Sequence, residues 1–171
     1  MENPKVLIIM GSDSDLTVME EAEKVLDKMG VPYKTDISSA HRTPIRTQDY
    51  AVSARSLGIK VIIAGAGMAA HLAGSIAANT TLPVIGVPIK AKDAIMDGLD
   101  ALLSTVQMPT GMPVATVGLG RADNAAYLAC QILGTSDPEM AERLITHKLS
   151  MESGVIKKSK TLAQRKKEEK A

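Results

Sequence analysis

The sequence has no tryptophan and no phenylalanine, and only 3 tyrosines. Its interior must therefore be filled by valine, isoleucine, leucine, alanine and the 10 methionines, through many small contacts rather than a few large rings. The same scarcity counts against a nucleic-acid surface that stacks bases on aromatic side chains. There is one cysteine, Cys130, so no internal disulfide can form, which fits a reducing compartment. It lies in the apolar helical stretch AAYLACQIL, where a buried, inert thiol is expected. Charge of one sign is lacking too. The formal net charge of +1 gives no strong field toward DNA or an anionic membrane. No stretch is long enough to span a bilayer. The apolar run near the N-terminus is too short for a signal peptide and is followed at once by acids. The expectation is a cytoplasmic protein with no nucleic-acid or membrane partner.

What is present points to one ordinary domain. The chain has 171 residues, 45% hydrophobic and 23% charged. Residues 5–10, a short continuous apolar run, read as a strand buried on both faces. Leu16, Met19, Ala22, Val25, Leu26 and Met29 recur at helical spacing until Gly30. Further strands are expected over 32–37, 60–64, 82–88 and 113–119. Helices are expected from Pro44, over 70–78, 98–106 and 124–133. Strands alternating with helices imply right-handed βαβ units, a parallel sheet and three αβα layers. Five strands suit a flavodoxin-like, doubly wound order 2-1-3-4-5. Asp137-Pro138-Glu139 reads as the start of a C-terminal helix, expected to run to about Ser153, where Ser-Gly weakens it. The domain is taken as 1–154, with 155–171 a basic extension too polar to join a core. Packing on a neighbour and simple solvation both remain open for it.

Ligands of open parallel sheets sit outside the carboxyl ends of the strands. Three unusual loops fall there. Gly11-Ser12-Asp13-Ser14-Asp15 offers hydroxyls and free amides for an oxyanion, and carboxylates for sugar hydroxyls. Helix capping by Ser14 or Asp15 is an equal reading at this stage. Ser39-Ala40-His41-Arg42 joins a proton-exchanging imidazole to a permanent cation suited to phosphate. The small-residue run 64–74, with Gly67, Ala70 and His71, lets a ligand approach the backbone and suits a carboxylate or CO2. His71 is expected to support this loop, and His147 to lie on the surface. The histidines are too scattered for a metal site. The Gly65-x-Gly67 pair lacks the dinucleotide spacing.

With these loops in hand, the sequence resembles the class I N5-carboxyaminoimidazole ribonucleotide mutases over residues 5–150. The resemblance rests on Gly-Ser-x-Ser-Asp at 11–15, Ser-Ala-His-Arg-Thr-Pro at 39–44 and Ala-Ala-His-Leu at 69–72. Leu-Pro-Val-Ile-Gly-Val-Pro at 82–88 and the segment 98–109 add to it. Two positions depart: Met68 stands where the family usually has glycine, and Ala73 where it has proline. The resemblance implies an isomerase of purine biosynthesis that moves a carboxyl group from nitrogen to ring carbon C4. It implies His41 as acid/base, and Ser12, Asp15 and Arg42, with Ser39 nearby, on the ribose phosphate. Gly67, Ala70 and His71 would face the carboxylate. It further implies a ribonucleotide substrate, a homo-octamer with active sites between subunits, and no metal or organic cofactor. The rival enzyme reading is direct carboxylation of aminoimidazole ribonucleotide by CO2. The rival of another class is a flavin- or nucleotide-binding module, against which the lack of aromatics counts.

Overall fold

Side chains along a strand alternate between the two faces of its sheet, so a strand that is apolar at every position needs cover on both sides. Val6–Met10 (β1) is such a strand, buried throughout. In the computed structural model, which describes residues 3–92, 94 and 96–169, it lies near the middle of a five-stranded sheet. The other strands are Tyr33–Ile37 (β2), Val61–Gly67 (β3), Val84–Ile89 (β4) and Ala115–Thr116 (β5). The order is β2-β1-β3-β4-β5 and every pairing is parallel. This is the expected doubly wound order.

Alternation divides the core. Val6, Ile8 and Met10 of β1 join Val61, Ile63, Ile85 and Val87 on one face. Leu16–Met29 (α1) and Ala122–Gly134 (α5) cover that face with small residues, including Ala22, Ala125, Ala126 and Ala129. Leu7 and Ile9 point the other way with Ile62, Ala64 and Val84. Pro44–Ser53 (α2) and Leu72–Ala77 (α3) cover them. With no large rings to spare, the helices come close: a Cβ on Gly65 would overlap Met19 Sδ of α1. Gly30 ends α1 in the left-handed conformation, φ +65, accepting no side-chain penalty there. Leu99–Val106 (α4) and Pro138–Glu168 (α6) complete the chain.

Three boundaries differ from the sequence reading. β3 continues past Ala64 to Gly67, pairing Ala66 with Pro88 and Gly67 with Ile89. Its small residues resemble a loop in sequence but are extended in space. β5, an edge strand, is only two residues long, pairing Ala115 with Ile85 and Thr116 with Gly86. Beyond it, isolated bonds from Val117 N to Gly86 O (3.1 Å) and from Gly120 N to Pro88 O (2.8 Å) hold the chain alongside. α6 does not stop near Ser153 but runs on to Glu168. One glycine inside a helix costs about 1 kcal/mol, and the good helix formers around Gly154 outweigh it. Asp137 caps α6 as expected, its side chain accepting from Met140 N at 3.1 Å.

Candidate active site

The chain reverses its winding between β1 and β3, and the loops at the carboxyl ends of β1, β2 and β3 converge on that crevice. After β1, Asp13–Asp15 forms a single 3-10 turn. Ser12 Oγ accepts from Ser14 N at 3.4 Å, while Asp15 accepts from Ser12 N at 3.2 Å, a reciprocal capping box. Both readings of this loop therefore meet in one place: the capping groups also line the cleft. Asp15 is only 7% exposed. Its burial pushes the carboxyl above its ordinary value, against the lowering effects of the Ser12 amide and the Arg42 guanidinium.

After β2, a turn of small polar residues carries His41 and Arg42. Ser39 N donates to Thr43 Oγ1 at 2.9 Å and Arg42 N to Ser39 Oγ at 3.2 Å. Beneath them Ser38, fully buried, bonds Thr47 of α2 at 2.8 Å. The turn is braced from below, which leaves both functional side chains exposed to solvent above it. Arg42 Nη2 reaches back to Gly11 O at 3.0 Å, tying the first loop to the second. Asp36, also near this rim, receives Tyr50 Oη and Arg46, the latter at 2.8 Å. Burial acts to raise its carboxyl, but the Tyr50 hydroxyl, the Ile37 amide and the Arg46 and Lys34 cations together hold it low.

After β3, the run 68–71 brings the third loop over. His71 Nδ1 lies 2.9 Å from His41 Nε2, with the rings edge to face and their centroids 5.0 Å apart. The two nitrogens share one proton, so one ring donates and the other accepts. Met68 is 52% exposed on the cleft and has φ +55, a left-handed conformation that costs a non-glycine residue about 1–2 kcal/mol.

Ser12, Asp15, Ser39, His41, Arg42, Gly67 and His71 thus line one cleft. Ala70 is placed differently. It is 2% exposed and off the cleft wall, and its amide donates to Ser104 Oγ of α4 at 2.9 Å. The sequence reading missed Ser104 and also Ala91, which closes the cleft from the β4–α4 connection. No local spacing marks either one; both arrive from 20 or more residues away through the sheet order. His147 lies at the surface as expected but is partly covered, stacked on Tyr127 at 4.5 Å. That burial and the nearby Lys28 ammonium lower its pKa. Among the described residues no group of three or more His, Cys, Asp or Glu side chains is placed to hold a metal ion.

Fold and site together define a flavodoxin-like, doubly wound α/β protein with a histidine- and arginine-bearing cleft at its switch point. More particularly, the chain belongs to the AIR carboxylase family, which matches residues 5–154. An N5-carboxyaminoimidazole ribonucleotide mutase of Pyrococcus horikoshii is 58% identical over 161 residues, 94% of this chain and 90% of the relative. A phosphoribosylaminoimidazole carboxylase of Candida albicans is 52% identical across 94% of this chain, which spans 28% of that longer protein. The crystal structure of PurE from Treponema denticola aligns with a TM-score of 0.84 at 29% identity, covering 93% of this chain and 98% of that one.

Proposed function

We infer that this enzyme converts N5-carboxyaminoimidazole ribonucleotide to 4-carboxy-5-aminoimidazole ribonucleotide, an isomerisation in purine biosynthesis. The observation that carries this reading is an exposed imidazole, His41, in a cleft that also holds its neighbour Arg42 and, from the loop after β1, Ser12 and Asp15. The mutase named for the Pyrococcus relative matches both chains nearly end to end, whereas the carboxylase named for Candida is mostly other sequence.

The chemistry is one bond exchanged for another. The N–C bond of the carbamate breaks, releasing CO2, and the exocyclic nitrogen takes a proton. Ring carbon C4 then attacks CO2 to form a C–C bond, and the C4 proton leaves to restore aromaticity. His41 gives the first proton and takes the second, so it ends as it began. Proton exchange by a positioned imidazole needs no external acid or base near neutral pH. Arg42 offers its fork to the phosphate. Asp15 and Ser12 are suited to the ribose hydroxyls. Gly67, at the end of β3, and His71, on the third loop, are assigned to the carboxylate. On this reading the site residues lie in a domain of 1–154, and the basic segment 155–171 is an extension of it.

The same reading takes the protein as cytoplasmic and homo-octameric, with active sites between subunits. No helix among the described residues is long and apolar enough to cross a membrane. Exposed Leu149, Val155, Ile156 and Leu162 on α6 support association between copies of the chain.

The test is a direct assay with N5-carboxyaminoimidazole ribonucleotide in the absence of ATP. Formation of the C4-carboxylated product is expected. Turnover only with aminoimidazole ribonucleotide and bicarbonate would favour the direct carboxylase instead.

A further inference from the structure

The third loop is held in place by a side chain that never reaches the cleft. Ser104 lies on α4, the helix after β4, and its hydroxyl is orientated by its own helix. Oγ donates to Asp100 O at 2.7 Å, the carbonyl one turn back. With that proton committed, an oxygen lone pair accepts from Ala70 N at 2.9 Å. Met68 O lies at 3.5 Å from the same oxygen. Ala70 is buried, so its amide has no access to water and needs this partner.

The consequence passes along the loop in both directions. On one side of Ala70, Met68 holds a left-handed backbone that its side chain disfavours. On the other, His71 is the next residue, and its ring meets His41. His71 N is itself turned back onto Ala69 O at 2.9 Å. A single hydroxyl therefore anchors the middle of a four-residue loop with an unfavourable conformation at one end and the catalytic imidazole's partner at the other.

We propose that Ser104 is a positioning residue that keeps this loop closed against the cleft, so that CO2 released from the carbamate stays beside C4. This deepens the mutase reading and rests on it. Ser104→Ala leaves the Ala70 amide buried without an acceptor, and the loop must shift or open to hydrate it. The phosphate- and ribose-facing loops after β1 and β2 do not touch Ser104, so the affinity for nucleotide is expected to hold.

The experiment follows conversion of unlabelled N5-carboxyaminoimidazole ribonucleotide in labelled bicarbonate by wild type, Ser104→Ala and Ser104→Thr. In Ser104→Ala, kcat is expected to fall about tenfold with little change in KM, and label in the product to rise above wild type. Label per product formed is a ratio, so a smaller folded fraction does not move it. Ser104→Thr keeps the hydroxyl and its bond one turn back, and is expected to restore retention. Wild-type label content in Ser104→Ala would overturn the proposal. So would an equal defect in both variants, which would assign the effect to helix packing. Failure of the wild type itself to convert the substrate would overturn the functional reading instead, a result separate from either.

Discussion

Replacing His41 by asparagine keeps a polar side chain of similar reach but removes proton exchange. General acid–base participation is typically worth ~10²–10⁴ in rate, so His41→Asn should lose that much turnover while still binding nucleotide by calorimetry. Arg42→Ala should do the reverse in order of severity. It removes a charge-assisted contact to phosphate and a tie to Gly11 O, so substrate affinity is expected to fall by about tenfold or more, read from a binding isotherm. Asp15 carries a cost of its own. Its folded-state pKa is raised above the ordinary 3.8, mainly by burial. The stability this contributes is complete below pH 3.8 and is lost as pH rises through the folded value. Above the folded value the ionised carboxylate works against the fold. Asp15→Asn, whose side-chain oxygen can still accept from Ser12 N, should melt higher than wild type at pH 7. The gap should close on acidification, and substrate should bind more weakly. A lower melting temperature at pH 7 would contradict this account.

The local elements were legible in sequence where burial is extreme. β1 and β4 are apolar at every position because helices cover both faces, and no other element type of that length fits so well. The edges were less legible. β2 alternates weakly, and the Gly-Ala end of β3 carries no strand signature, since its neighbours rather than its side chains make it extended. The helix start at Asp137 was readable from its cap, but the end of α6 was not: nothing in Ser153-Gly154 stops a helix. Asp137→Ala should cost about 1 kcal/mol in a denaturant titration, as loss of an N-cap does. Met68 offers a second test at this scale. Asparagine tolerates a left-handed backbone and a β-branched residue does not. Met68→Asn should raise the melting temperature and Met68→Val should lower it, each by an amount equivalent to about 1 kcal/mol.

For the molecule as a whole, the sheet order followed from alternation of strands and helices, and the order alone decides which loops meet. Ser12, His41 and His71 are distant in sequence but share a cleft because β1 stands between β2 and β3. That step was available from sequence. The roles of Ser104 and Ala91 were not, because they depend on how α4 and its connection lie over the crevice, which is a matter of packing. The distinction between a retained and a freely exchanging CO2 also belongs to this scale, since it depends on how the three loops close together.

The chain's only thiol is enclosed within the α1–α5 side of the core, and desolvation pushes it up to about 11. Native protein should therefore resist maleimides and aromatic disulfides that react with it at once in denaturant. Such a molecule needs no cysteine-free background for site-directed labelling. A fluorophore or spin probe attached through Ser159→Cys would report directly on whether the far end of α6 tumbles freely or is immobilised against another copy.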